Sequence, residues 1–339
     1  MNHKNETILL AHGSGGKVMY ELIHDIIAPA TGMKVFNDSA TIDLGAFEGH
    51  TIAFTTDSYV VSPIFFPGGD IGKLAVFGTV NDLAMVGAEP RCLSTGFIIE
   101  EGFPISDFIK VLESIREASE EAGVRIVTGD TKVVNKGKGD GIFINTSGIG
   151  LVREGINISP SNIKIDDRII VSGTIGNHGV AVMAERNGLS FSPPVVSDTR
   201  PLNGILAKIL DRYGTEIHAL RDPTRGGLAT TLKEMAIESS LCIEIYEEAL
   251  PVNPQVAGAC EILGIDPLYV ANEGIFVAFV NGNVAESIID ILHGHPYGRD
   301  ARIIGKVLDT PSEKVLLRTR LGGTRLVEML PGEQLPRIC

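Results

Sequence analysis

With 339 residues, 44% of them apolar and 21% charged, the chain has the composition of a globular protein long enough for two domains. A formal net charge of -13 and the absence of any Lys/Arg-rich run exclude a nucleic-acid footprint, which needs a basic face. The start of the chain lacks a signal-peptide core and no stretch is long enough to span a bilayer, so the expected location is cytoplasmic, with no membrane partner.

The first element in chain order is a helix in "KVMYELIHDIIAPA", entered from the glycine cluster of "AHGSGG". Strands are expected in "TIAFTTDSYVV", "CLSTGFIIE", "VRIVTGDTKVV" and "IFINTSGIGLV", all rich in β-branched residues. Helices are expected in "DIGKLAVFGTVNDLAMVG" and in "PISDFIKVLESIREASEEAG", the latter opened by proline and closed by glycine. After the polar turn "NISPSNIKIDD" a second round begins at "RIIVSGTIGNHG". It has helices in "VAVMAERNG", "RPLNGILAKILDRYG" and "GGLATTLKEMAIESS" and strands in "LCIEIYE", "GIFVAFV" and "RIIGKVL". Two lobes of mixed α/β (α+β) class follow from this order, divided as 1–34, 35–155, 156–310 and 311–339. The last segment turns polar and then irregular, and is expected to be a flexible tail. Its final 17 residues, fully extended, reach roughly 55 to 60 Å.

Cys92 and Cys242 fall in apolar strand-like runs and Cys260 on a helix, where cysteine packs as a small buried hydrophobe. Cys339, the last residue, has no such explanation. His178, His293 and His295 are read as structural or solvent-exposed.

Four aspartates of the first lobe, Asp38, Asp57, Asp82 and Asp130, each stand beside a strongly apolar stretch. Burying unpaired aspartate is costly, so the set points to convergence on a cation, and hard carboxylate oxygens suit Mg2+ bridging to nucleotide phosphates. Singly, each could be a turn or helix cap. Gly13, Ser14, Gly15 and Gly16 lack the spacing of a phosphate-binding loop, yet they would let backbone N–H groups approach an anion at a helix start. Lys132 follows Asp130 and Thr131 in "GDTKVV", which puts Asp130 and Lys132 on one strand face. In "LRDPTRGGLATTLKEMA", Asp222 and Arg225 precede paired glycines and a helix, a second anion-friendly turn, and otherwise read as ordinary turn residues. Glu273 in "VANEGIFVAFV" precedes a buried strand, in a position to face a cleft.

Taken together, "AHGSGG", "TTDSYVVSPIFFPGGDIGKLAVFGTVNDLAMVGAEP", "GDTKVV", "RDPTRGGLA", "NEGIF" and the terminal "PRIC" resemble the HypE family of hydrogenase maturation factors, the carbamoyl dehydratases. The resemblance covers nearly the whole chain, and its internal blocks extend to the wider superfamily of aminoimidazole ribonucleotide synthetase, selenophosphate synthetase and thiamine-monophosphate kinase. It implies an aminoimidazole ribonucleotide synthetase-like fold, with residues 35–155 as an ATP-binding and dimerisation domain, a homodimer, and ATP with Mg2+ at the acidic cleft. Gly13, Ser14, Gly15, Gly16, Asp38, Asp57, Asp82, Asp130 and Thr131 would bind them.

It further implies that a carbamoyltransferase, HypF, loads a carbamoyl group onto Cys339. The chain would dehydrate this to a thiocyanate at the expense of ATP, and the cyano group would pass to iron on a HypC–HypD complex, as a ligand of nickel-iron hydrogenase. Candidate bases for the two amide protons are Lys132 and Glu273. Among relatives, a selenophosphate synthetase is the alternative. It typically carries a reactive Cys or selenocysteine in the N-terminal glycine-rich region, where "AHGSGGKV" has Lys17 and no cysteine.

Overall fold

The computed structural model describes residues 7–9, 22–31, 51–329 and 338. A six-residue π-helical segment, Leu22–Ile27, runs into the short helix α1 (Ala28–Thr31). The first lobe then contains β1 (Thr51–Tyr59), a small ribbon of β2 (Phe65–Phe66) and β3 (Gly69–Asp70), α2 (Ile71–Met85), β4 (Ala88–Glu100), α3 (Ile105–Ala122), β5 (Arg125–Val134) and β6 (Ile142–Val152). Its sheet has the order β1-β6-β4-β5, antiparallel except for the β4–β5 pair, so β1 and β5 are its opposite edges.

The alternation along β1 decides which face is covered. Thr55, Asp57 and Tyr59 turn inward while Ile52, Phe54, Thr56 and Ser58 are exposed. Helix α2 packs on the covered side and is buried on nearly all its faces, as a helix enclosed by its neighbours should be. The Asp70 carboxylate caps it by accepting from the backbone N–H of Gly72 at 2.7 Å and of Lys73 at 3.1 Å. Ser114 of α3 donates to the other Asp70 oxygen at 2.6 Å and ties the two helices together. Helix α3 ends at Gly123, whose φ of 70° is the left-handed turn that favours glycine.

The second lobe holds β7 (Arg168–Val171), α4 (Asn177–Asn187), α5 (Asn203–Tyr213), β8 (Ile217–Arg221), α6 (Gly227–Ser239), β9 (Cys242–Tyr246), α7 (Pro254–Leu263), β10 (Val277–Val280), α8 (Ala285–His293), β11 (Arg302–Leu308), β12 (Val315–Arg318) and β13 (Thr324–Val327). Its sheet has the order β13-β12-β9-β11-β7-β10-β8, with β12 parallel to β9 and the other pairs antiparallel. The central strands β7 and β10 are buried throughout nearly their whole length.

Segment 311–339 differs from the expected tail. Residues 315–318 and 324–327 form a hairpin that extends the second sheet, so the folded lobe runs at least to Val327. The hairpin is held from the side. Lys233 of α6, nearly buried, donates to the Glu313 carbonyl at 2.8 Å and pairs with Glu328 at 2.9 Å. Short four-residue strands with exposed polar partners carry little periodicity, which is why the sequence reads as irregular there. The expected burial of Cys92, Cys242 and Cys260 is found in all three.

Candidate active site between the lobes

Helix α2 carries the site. Asn81, buried in its last turns, sends its amide N–H groups to the carbonyls of Arg200 at 3.2 Å and Glu273 at 3.3 Å, and its Oδ1 accepts from the Leu202 N–H at 2.8 Å. One side chain of the first lobe thereby fixes two segments of the second. Its neighbour Asp82 accepts from the Thr55 hydroxyl of β1 at 3.0 Å. Asp57 of β1 accepts from the Ser58 N–H at 2.7 Å and lies 3.6 Å from the Arg225 guanidinium. Asp57, Asp82, Asp222, Glu273, Gly78, Thr224 and Arg225 line one cavity of about 40 Å³. A larger cleft of about 640 Å³ shares Asp82, Asp222, Thr224 and Arg225 with it and runs along Phe54 and Arg221.

Gathering carboxylates in a poorly hydrated place raises their proton affinity. Burial pushes Asp82 up to about 7, with the charges of Asp222 and Asp57 adding to the effect. Asp222 is raised mainly by its own burial, in part offset by Arg221. Among the described residues no group of three His, Cys, Asp or Glu side chains closes around a point as a metal cage would. Mg2+ fits an open acidic set of this kind, because it keeps several waters and takes one or two carboxylates plus phosphate oxygens. Directly beside the cavity, "RDPTRGGLA" delivers Gly226 and Gly227 with φ of 74° and 60° at the start of α6. A Cβ on Gly227 would meet the carbonyls of Leu268 and Val270 at 2.6 Å.

Glu273 is buried, and its backbone is held by Asp198, whose Oδ2 accepts from the N–H groups of Glu273 at 3.2 Å and Gly274 at 3.0 Å. The same loop carries Ser197, whose hydroxyl meets Nδ1 of His178 at 2.8 Å. Nε2 of His178 meets the carbonyl of Ile338 at 2.8 Å. Ile338 is only 3% exposed and belongs to a core cluster that also contains Phe66, Val182, Met183 and Ala271. The residue next to the chain's last cysteine is therefore docked between the lobes, on the wall that holds Glu273.

Of the residues singled out from sequence, Asp57, Asp82 and Glu273 are brought together. Asp130 and Lys132 share a strand face, as their spacing predicts, and pair at 3.3 Å. Both are exposed, on the edge strand opposite β1, and Thr131 between them is buried. Gly13, Ser14, Gly15, Gly16, Asp38 and Cys339 lie outside the described residues. Asp222 reads in sequence as a turn residue and proves to be part of the carboxylate cluster. Asn81, Asp198 and His178 were legible only as polar residues inside apolar or turn-rich stretches.

Residues 36–152 match the AIR synthase related protein, N-terminal domain family, and residues 164–318 match the AIR synthase related protein, C-terminal domain family. The chain is 48% identical over 339 residues to Carbamoyl dehydratase HypE of Bradyrhizobium diazoefficiens, covering 99% of this chain and 97% of that protein. The crystal structure of Hydrogenase Maturation Protein HypE in complex with ATP superposes with a TM-score of 0.93 at 45% identity, over 98% of this chain and 100% of the other. A crystal structure of a HypE–HypF complex matches with a TM-score of 0.80 at 50% identity, over 91% of this chain and 99% of the other. The two AIR synthase related domains, the inter-lobe acidic site and the full-length similarity place this chain in the HypE family of hydrogenase maturation proteins.

Proposed function

We propose that the chain is an ATP-dependent carbamoyl dehydratase of nickel-iron hydrogenase maturation, working on a carbamoyl group carried by Cys339. The observation that carries this reading is the docking of Ile338, the residue before that cysteine, on the same inter-lobe wall as Glu273. In this reading the thiol one residue further along works from a tether between the lobes, on the side of Glu273. A group so tethered reacts as an intramolecular partner, for which effective concentrations are high.

The chemistry asks for three things. The carboxamide oxygen must become a leaving group, which its attack on the γ-phosphorus of ATP achieves, forming an O–P bond and releasing ADP. Departure of that oxygen as phosphate, with loss of both N–H protons, leaves a carbon–nitrogen triple bond on sulfur. The net change is the loss of one water. Mg2+, when bound, would neutralise the charge on the phosphates, and Asp57, Asp82 and Asp222 are the residues that would hold it. Glu273 is the better placed of the two candidate bases in a single chain, being buried in the cavity that Asp57 and Asp82 line.

Asp130, Thr131 and Lys132 join the assignment through a homodimer. The open face of the first sheet leaves Phe54 68% exposed, together with Ile52 and Ile98, and pairing with a second copy would cover them. The glycine-rich segment Gly13 to Gly16 and Asp38 complete the ATP site in this reading, as the family resemblance implies. The partners are a HypF-type carbamoyltransferase, which loads the group, and a HypC–HypD scaffold, which receives the cyano ligand. The location is the cytoplasm, and no described helix is long and apolar enough to cross a membrane. Incubation with the transferase, carbamoyl phosphate and ATP should place a carbamoyl adduct on the peptide ending in Cys339. An adduct that persists in Cys339→Ser would overturn the reading.

A further inference from the structure

We propose that His178 is the latch for the chain's C-terminus: it holds the penultimate carbonyl in the inter-lobe site and so positions the terminal cysteine for reaction. His178 opens α4 and is completely buried. Its ring is gripped at both nitrogens, and the chemistry of the two partners settles the tautomer. The Ile338 carbonyl can only accept, so Nε2 carries the proton and donates to it at 2.8 Å. Nδ1 is then the acceptor of a hydrogen bond from the Ser197 hydroxyl at 2.8 Å, while Thr199 supports Ser197 by donating to its oxygen from its own hydroxyl at 2.7 Å and its N–H at 3.2 Å. Burial keeps the imidazole neutral by lowering its proton affinity, against the pull of Asp198 and of the Ile338 carbonyl. The edge of Phe66 from the first lobe packs on the ring, with centroids 5.4 Å apart.

Among the described residues, the ring's other partners, Ser197 and Phe66, belong to the folded lobes and orient it independently of Ile338. The one group it reaches across 160 residues is the penultimate carbonyl. That is the arrangement of a receptor and a docking residue. The Ile338 side chain supplies apolar burial and its carbonyl supplies direction, so departure of the tail uncovers a buried donor that must then find water. The geometry also links docking to the reacting site. Ser197 is followed directly by Asp198, which holds the backbone of Glu273 and Gly274. His178 acts through the tail, and is a positioning residue that takes no proton from the substrate.

This inference rests on the reading that Cys339 carries the reacting group, but its test needs no turnover. In the full-length protein, the rate of Cys339 alkylation by a small thiol reagent is followed by mass spectrometry, with Cys92, Cys242 and Cys260 buried and slow. His178→Phe keeps the ring volume and removes the donor, and should raise the Cys339 rate about fivefold, the weight of one net hydrogen bond. His178→Gln restores a donor near Nε2 and should return the rate most of the way to wild type. Ile338→Ala, which lies in the tail and leaves the lobes untouched, should raise it about tenfold or more through lost burial. In carbamoylated protein, dehydration should slow in the same order, with ATP affinity unchanged and loading by the transferase undiminished. A folded His178→Phe that alkylates and dehydrates at the wild-type rates would overturn the latch. Should that variant not fold, Ile338→Ala decides alone, and a wild-type rate there overturns it. Wild-type protein that alkylates as the latch requires yet is never carbamoylated would instead refute the functional reading.

Discussion

Asp82 of the first lobe and Asp222 of the second line the same small cavity, and the charge of Asp222 helps push Asp82 up to about 7. The two lobes thus meet at this cavity with carboxylates facing one another. Asn81, one residue earlier, is among the groups that tie the lobes together, its three hydrogen bonds reaching Arg200, Leu202 and Glu273.

The raised proton affinity of Asp82, set first by its burial and then by the charges of Asp222 and Asp57, makes stability depend on pH in a definite sense. The folded state binds the Asp82 proton more tightly than the unfolded chain, whose aspartate has the ordinary value of 3.8. Stability is therefore highest where both states are protonated, below about 4, as far as this group is concerned. It declines as pH rises toward about 7, where the folded carboxyl finally ionises. Asp82→Asn should remove this dependence, raising the melting temperature at pH 8 relative to wild type and by less at pH 5. Excess Mg2+ should narrow the gap at pH 8 by stabilising the wild type alone. The same variant should lose ATP-dependent turnover by about 100-fold or more, the usual scale for removing preorganised electrostatic stabilisation.

Glu273 should separate loading from dehydration. Glu273→Gln preserves shape and should slow water loss from the carbamoylated protein by about 100-fold, the lower range for a general base, while Cys339 loading is unaffected. Gly274→Ala should reach a similar result by a different route. A Cβ there would stand 1.7 Å from the Asp198 carbonyl oxygen, so the loop holding Glu273 must move. Single-turnover assays on preloaded protein check both, and equal loss of loading and dehydration would count against the assignment.

Gly78 lies in the middle of α2, where alanine would ordinarily be the better helix former by about 1 kcal/mol. Here a Cβ would meet the Tyr59 hydroxyl at 2.1 Å. Gly78→Ala should therefore destabilise the fold by about 1 to 3 kcal/mol in chemical denaturation, as overpacking does. Adding Tyr59→Phe should recover a measurable part of the loss, because the clash is with the hydroxyl.

The C-terminal hairpin should respond to Lys233. Lys233→Met removes the partner of Glu328 and the donor to the Glu313 carbonyl, and amide exchange in β12 and β13 should quicken ahead of the rest of the second sheet. The Glu328 carboxyl is held below its ordinary value by Lys233. The pairing accordingly contributes above the unfolded value of 4.5 and fades as pH falls through the lower folded value, so wild type and variant should converge in acid.

How far the sequence could be read follows from which residues carry period. The strands of the first lobe and helices α2 and α3 were legible because alternation, proline and glycine marked them over ten or more residues. Strand β8 in "EIHALR", helix α8 and the β12–β13 hairpin were not, since each is short and merges with polar neighbours. In the site, Asp57, Asp82 and Glu273 stood out as acids set in apolar stretches. Asp222 was hidden in a turn, where aspartate is ordinary, and His178 beside glycines, where a loop reading fits equally well. Asp222 meets Asp57 and Asp82 of the other lobe, and His178 meets Ile338 across 160 residues, pairings that only the fold reveals.

The most direct test of the account is intact mass spectrometry of protein carbamoylated at Cys339, followed after addition of Mg-ATP or a non-hydrolysable analogue. The account predicts loss of the mass of one water from the terminal peptide with Mg-ATP and no change with the analogue. Retention of the intact carbamoyl group while ATP is hydrolysed, or water loss without hydrolysable ATP, would contradict it.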